Sequence, residues 1–170
     1  MKNTLLLSFI LFFSSCELLD QKKPKTELEK LPPLTTTGEN TFGCLVNGKA
    51  LVPKRSTKSG AIFQNNELFI GADFDNPNRS ISIIVFDGSS VAIGNVFDLT
   101  DTLKSYSRYF VRDQRLCDYD THSTIVGSLK IGLLDSENRI ISGEFDFTKI
   151  LGECDTLRVT NGRFDLQYIP

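Results

Sequence analysis

The sequence predicts an all-β domain, an antiparallel β-sandwich of about nine or ten strands with a partly open barrel as the alternative. Three observations predict it. Short apolar runs recur between Asn, Gly and Asp punctuation after Gly38, the C-terminal third alternates apolar and polar residues with period two, and no stretch carries a 3.6-residue apolar stripe. The chain has 170 residues, a formal charge of −2, 40% hydrophobic and 24% charged residues. That is one domain with enough apolar content for a core, without the excess of positive charge that nucleic-acid binding requires. A single His thins the options for catalysis and for a zinc site, and neither a metal nor a cofactor is expected.

The first element is an address. Lys2 supplies a positive start, and an apolar run from Leu5 to Phe13 follows. Nine residues make roughly 14 Å of helix, about half a bilayer core, so the run reads as a secretory signal and not as a membrane span. Ser14 and Ser15 then lead directly into Cys16, an arrangement that resembles a bacterial lipoprotein signal. The resemblance implies cleavage after residue 15 and a diacylglyceryl group on the Cys16 thiol, with palmitate among the acyl chains. More than one acyl chain gives stable anchoring, so the mature protein is expected on a membrane of the bacterial envelope, the outer membrane being the expected one. Glu17 and Asp20 follow the cysteine, and periplasm-facing and surface-facing orientations both fit.

Residues 16–37 read as a lipid-anchored flexible linker. Three prolines, mixed charge and no sustained periodicity point to solvated chain, with Pro32-Pro33 stiffening its far end. Residues 38–170 are then the single β-domain. Asn47-Gly48 and Asn65-Asn66, each between short apolar runs, predict tight hairpins, because both residues of such a turn take positive φ. The segment from Arg79 to Phe86 is apolar on both faces towards its end and suits an inner strand. Gly94-Asn95 and the stretch from Asp98 to Asp101 read as connections between sheets.

Ile125, Gly127, Leu129, Ile131 and Leu133 alternate with Val126, Ser128, Lys130 and Gly132 and predict one nearly all-apolar face. Ile141, Gly143, Phe145 and Phe147 repeat the pattern on an antiparallel partner, across a turn at Asp135-Ser136-Glu137-Asn138. In the last strand the apolar phase changes from Leu157 and Val159 to Phe164, Leu166 and Tyr168. A hairpin or a bulge at Asn161-Gly162 absorbs the shift, and the bulge is favoured because it leaves a strand long enough to pair along its whole neighbour.

With Cys16 lipidated, Cys44, Cys117 and Cys154 remain in an oxidising compartment. Cys44 sits in an apolar strand, whereas Cys117 and Cys154 lie in polar text, so the expected disulfide is Cys117 with Cys154, the alternative being three free thiols. In the chain-entropy picture it stabilises by on the order of 3–4 kcal/mol.

Candidate chemistry is sparse. Asp73, Asp75 and Asn78 suggest a calcium loop, but Pro77 and Ile84 fall where ligands are required. Asp118, Asp120 and His122 would suit general acid and base work in a glycan-acting or other hydrolase. Tyr106, Arg108, Tyr109, Arg112, Arg115 and Tyr119 form the strongest lead, since aromatic rings interleaved with Arg make stacking platforms for sugars and protein hot spots.

A further resemblance rests on Asn40-Thr41-Phe42-Gly43 at the start of the domain. It rests equally on Ile141-Ser142-Gly143-Glu144-Phe145 and Gly162-Arg163-Phe164-Asp165 at its end. With these the chain resembles small Bacteroidota lipoproteins of unknown function, over residues 38–168. The resemblance implies an envelope location and a β-rich domain, and transfers no catalytic residues. The function expected is a membrane-tethered binding or interaction module without catalysis, its partner an envelope protein or a glycan. The alternatives are the hydrolase and a structural or inhibitory envelope protein.

Overall fold

The computed structural model describes residues 24–75, 78–111, 119, 124–150 and 154–170. Ten strands follow in order: β1 Thr41–Val46, β2 Lys49–Leu51, β3 Ser59–Gln64, β4 Glu67–Asp75, β5 Asn78–Val85, β6 Val96–Asp98, β7 Ser105–Val111, β8 Thr124–Asp135, β9 Ile140–Lys149 and β10 Leu157–Ile169. The fold is all-β, as the sequence predicts.

One sheet holds all ten strands in the order β6-β8-β9-β10-β3-β4-β5-β7, with β1 on β10 and β2 on β1. Strand β10 is the pivot. From Leu157 to Gln167 it pairs with β9, and from Val159 to Asp165 also with β1. Past the start of β1 its edge is free, and there Tyr168 and Ile169 pair in parallel with Ala61 and Ile62 of β3. The sheet therefore folds over on itself, and its two ends, β6 and β7, approach each other. The result lies between a sandwich and a nearly closed barrel. The chain passes between the two halves through residues 86–95 and again through 99–104; these include the expected connections at Gly94-Asn95 and Leu99–Asp101, whereas Asp98 ends strand β6, and Leu99 is buried.

Local chemistry explains the turns. Asn47 and Gly48 have φ of 49° and 78°, and Asn65 and Asn66 have 51° and 64°. These are the left-handed values that a two-residue hairpin turn of type I′ needs. Asp135 closes the β8–β9 turn by accepting the Glu137 and Asn138 amides, each at 2.9 Å.

The phase change in β10 is a bulge. Val159 faces Phe147 and Gly162 faces Phe145, so three steps on β10 match two on β9, and Asn161 takes φ 53° at the extra residue. Position 162 must be Gly, because an added Cβ would lie 2.5 Å from the Phe145 ring. Val159, Phe164, Leu166 and Tyr168 consequently all face one core, against Phe42, Phe145, Phe147 and Ile131.

Two differences from the sequence reading have physical causes. Bulges lie in β8 between Thr124 and Val126 and between Ile131 and Leu133. They leave Gly127, Leu129 and Ile131 buried but turn Ile125 out to solvent and leave Leu133 only half-buried. Second, the ordered body begins upstream of residue 38, because the linker's far end has partners. Asp165 accepts the amides of Thr37, Gly38 and Glu39 at 3.0, 2.8 and 3.2 Å. Arg163 donates to the Pro32 carbonyl, Glu27 accepts the Ala50 amide, and Leu31 is buried. Residues 24–40 are thus a strap on the domain.

The two terminal motifs meet beside this strap. Thr41, Phe42 and Gly43 pair with Asp165, Phe164 and Arg163. A side chain at Gly43 would come within 2.6 Å of the Pro32 ring.

Candidate binding surface

Side chains alternate across a sheet, and the outward set of β10, β3, β4, β5 and β7 forms rows across the strands. The first row is apolar: Ile169, Ile62, Phe69, Ile84 and Tyr106 are successive register partners. Phe86 packs on the Tyr106 ring at 5.5 Å between centroids. Two residues further along each strand, the next row is small, with Gly60, Gly71 and Ser82, and ends on Arg108. The third row is polar, with Asp73 and Ser80 leading to Phe110. A trough of about 340 Å³ results, floored by the small row and walled by Ile62, Phe69 and Ile169 on one side and by Lys58, Asp73 and Ser80 on the other. It runs into a second hollow of about 210 Å³ that adds Asp75, Asn78, Arg79 and Phe110.

The Phe69 ring reaches across the trough floor. Its Cζ lies 2.9 Å from where a Cβ on Gly71 would stand, and Phe69 remains 39% exposed. Covering a strand glycine with a neighbouring aromatic ring also shields backbone, so the arrangement supports the sheet as well as shaping its surface. On the polar wall Lys58 pairs with Asp75 at 3.4 Å. The Nε of Arg79 is buried without a hydrogen-bond partner, while the guanidinium lies 5.9 Å from the Tyr109 ring.

The aromatic and arginine cluster read from the sequence is divided by strand alternation. Tyr106 and Arg108 stand on the outer face beside the trough. Tyr109 points inward and packs edge-on against Tyr119, both buried. Burial pushes both phenols up, the Arg79 charge partly opposing this at Tyr109, and the Tyr119 hydroxyl donates to the Asp155 carbonyl. The four described members, Tyr106, Arg108, Tyr109 and Tyr119, therefore do not share one surface. Arg112 and Arg115 lie outside the described residues, as do Asp118, Asp120 and His122. Cys16 and the signal lie outside them too.

Cys44 is a free, buried thiol whose pKa burial pushes up to about 12. Cys154 is in a disulfide, and Cys117, its expected partner, lies outside the described residues. Asp73, Asp75 and Asn78 belong to a strand pairing, Asp75 facing Asn78 and Asp73 facing Ser80. Among the described residues no three His, Cys, Asp or Glu side chains are placed to share a metal ion.

Two charged residues that sequence reasoning passed over are the most deeply buried. Lys149 is fully buried, and its Nζ donates to the Ser107 carbonyl at 2.8 Å and to the Thr124 hydroxyl at 2.6 Å, 5.7 Å from the Phe147 ring centre. Asp165 is 1% exposed. Burial raises its pKa, but the nearby Thr35 hydroxyl, itself without a well-aligned hydrogen bond, and the three strap amides outweigh it, holding the carboxyl below its ordinary value. A signal for Lys149 did exist, since it falls in phase with Ile141, Gly143, Phe145 and Phe147.

No known family, curated protein or solved structure matches the chain. No helix among the described residues is long and apolar enough to cross a membrane.

Proposed function

We propose that this chain is a non-catalytic binding module of the bacterial envelope, tethered through lipid on Cys16 in the outer membrane, as in the small Bacteroidota lipoproteins it resembles. Its contact surface is the outer face of β3, β4, β5 and β7. The observation that carries the proposal is the trough: an apolar row exposed at Ile169, Ile62 and Phe69, a small-residue floor and a polar wall lie side by side on a sheet whose opposite face is the core. Such an arrangement offers area and hydrogen-bonding groups together, as binding sites do.

The strap supports the tether. Eight residue steps separate Cys16 from Pro24, and even fully extended they reach about 29 Å at most. A linker free as far as Thr37 would reach about 75 Å. A domain anchored at Cys16 is therefore held close to its bilayer, and the partner is one found at that surface.

Site-specific photo-crosslinking in living cells tests the proposal. A photoreactive residue replacing Ser82 in the trough is expected to give a discrete adduct, and one replacing Lys130, exposed on β8, to give none. Equal labelling from both positions, or none from either, would overturn it.

A further inference from the structure

We infer that the trough takes a neutral sugar unit of a glycan, stacked on Phe69 and held through its hydroxyls by the polar wall; this rests on the binding reading above and names its ligand class. Four observations lead there. First, the trough is on a face of the sheet and not at an edge. Strands β3, β4 and β5 are paired without a break from Ser59 to Gln64 and from Leu68 to Asp75. Between these strands the backbone groups are taken, so a peptide lying along the trough floor finds no strand edge there to join.

Second, the platform is aromatic and exposed. Phe69 lies over Gly71, where any larger residue would collide with the ring. A flat apolar ring suits the C–H face of a pyranose, a ligand that is apolar on its faces and hydroxylated around its rim.

Third, the wall is polar without net charge. Lys58 and Arg79 balance Asp73 and Asp75, and the Lys58–Asp75 pair leaves the Asp73 carboxylate with no ion pair among the described residues. That lining gives a phosphate, a polyanion or an acidic peptide no net attraction, and Arg108, at the end of the floor row beside Ser82, stands outside it. Asp73 stands two residues beyond Gly71 on the same outer face, about 7 Å along the strand. A ring seated on Phe69 brings its rim hydroxyls towards Asp73, Ser80 and Ser82.

Fourth, the adjoining hollow extends the trough. It shares Lys58, Asp73 and Ser80 with it and adds Asp75 and Asn78, with Phe110 exposed at its rim. A longer saccharide has room to run from Phe69 towards Phe110.

The test is calorimetric titration of the detergent-solubilised full chain with cellohexaose, mannohexaose, xylohexaose and maltohexaose, and with hexagalacturonate as the anionic control. At least one neutral hexasaccharide is expected to bind, and the anionic one not. Phe69→Ala and Asp73→Ala are each expected to weaken binding about tenfold, the scale of one lost ring contact or charge-assisted hydrogen bond. Asp73→Ala removes an exposed carboxylate and keeps the Phe69–Gly71 packing, so it separates loss of contact from loss of fold. No binding by any of the four, binding unaffected by both substitutions, or binding only of hexagalacturonate would overturn the inference. Failure here with a trough-specific crosslink in cells would leave the binding module standing with a different ligand, whereas failure of both would remove it.

Discussion

The ammonium of Lys149 at the end of β9 donates to the backbone carbonyl of Ser107 on β7, across the gap where the sheet's two ends meet. Among the described residues, strand β7 pairs with β5 on one side and on the other makes a bridge from Tyr109 to Tyr119. Its other edge would otherwise leave buried carbonyls without partners. Lys149 supplies a donor there, Ser107 and Thr124 share a hydroxyl contact of 3.2 Å, and the Ser105 hydroxyl donates to the Asp98 carbonyl at 2.8 Å. Side chains thus close the seam that backbone pairing leaves open.

Lys149→Met keeps most of the volume and removes the donor. It is expected to cost about 2 kcal/mol, because the Ser107 carbonyl stays buried. Urea unfolding measures the cost, and hydrogen exchange is expected to accelerate along Ser105–Val111 more than along β4. Uniform acceleration in both strands would show that Lys149 does not act at the seam.

Asp165→Ala leaves three strap amides without their acceptor and is expected to destabilise by about 3 kcal/mol. The folded state holds this carboxyl below its ordinary 3.8. Its contribution is therefore complete above that value and is lost as pH falls through the lower folded one. Asp165→Asn is expected to flatten that acid limb of the stability curve. An unchanged limb in unfolding titrations between about pH 2 and pH 5 would contradict the clamp.

Gly162→Ala is expected to destabilise by several kcal/mol, about 3 or more, since its Cβ meets a ring and a backbone carbonyl of Phe145 at 2.5 Å. Asn161→Ala, at φ 53°, is expected to cost about 1 kcal/mol. Thermal unfolding of both variants distinguishes the bulge from a simple turn, in which the order of the two would be reversed or lost.

Cys44 is expected to resist alkylation at pH 8 in the folded protein and to react once the chain is unfolded, because burial keeps the thiol protonated as well as covered. Rapid labelling of Cys44 in the native state, read by mass spectrometry, would contradict its place in the core.

Much of this was legible in the residues. Period-two alternation located β8 and β9, the Asn-Gly and Asn-Asn pairs located two hairpins, and the odd-to-even switch between Val159 and Phe164 located the bulge. The bulges at Ile125 and Gly132 were not, because an extra residue in a strand whose flanking positions are also apolar leaves no break in the pattern. Nor was the strap. Its bonding groups are backbone amides and a carbonyl, which any sequence supplies, and the residues that capture them, Asp165 for the amides and Arg163 for the Pro32 carbonyl, lie at the other end of the chain. The aromatic and arginine cluster misled for a simpler reason. Proximity in sequence sends successive strand residues to opposite faces, so Tyr106 and Arg108 went out and Tyr109 went in. The trough was invisible because its rows run across strands, joining Ile169, Ile62, Phe69, Ile84 and Tyr106 by register alone.

The most direct test of a tethered contact surface is the yield of the crosslink from position 82, measured in cells with Cys16 intact and with Cys16→Ala. With the lipid site intact, the chain is expected in the membrane fraction with a discrete adduct. With Cys16→Ala, it is expected in the soluble fraction with the adduct sharply reduced, because the partner lies at the bilayer surface. An adduct of equal yield in both, or a chain that stays with the membrane without Cys16, would contradict the account.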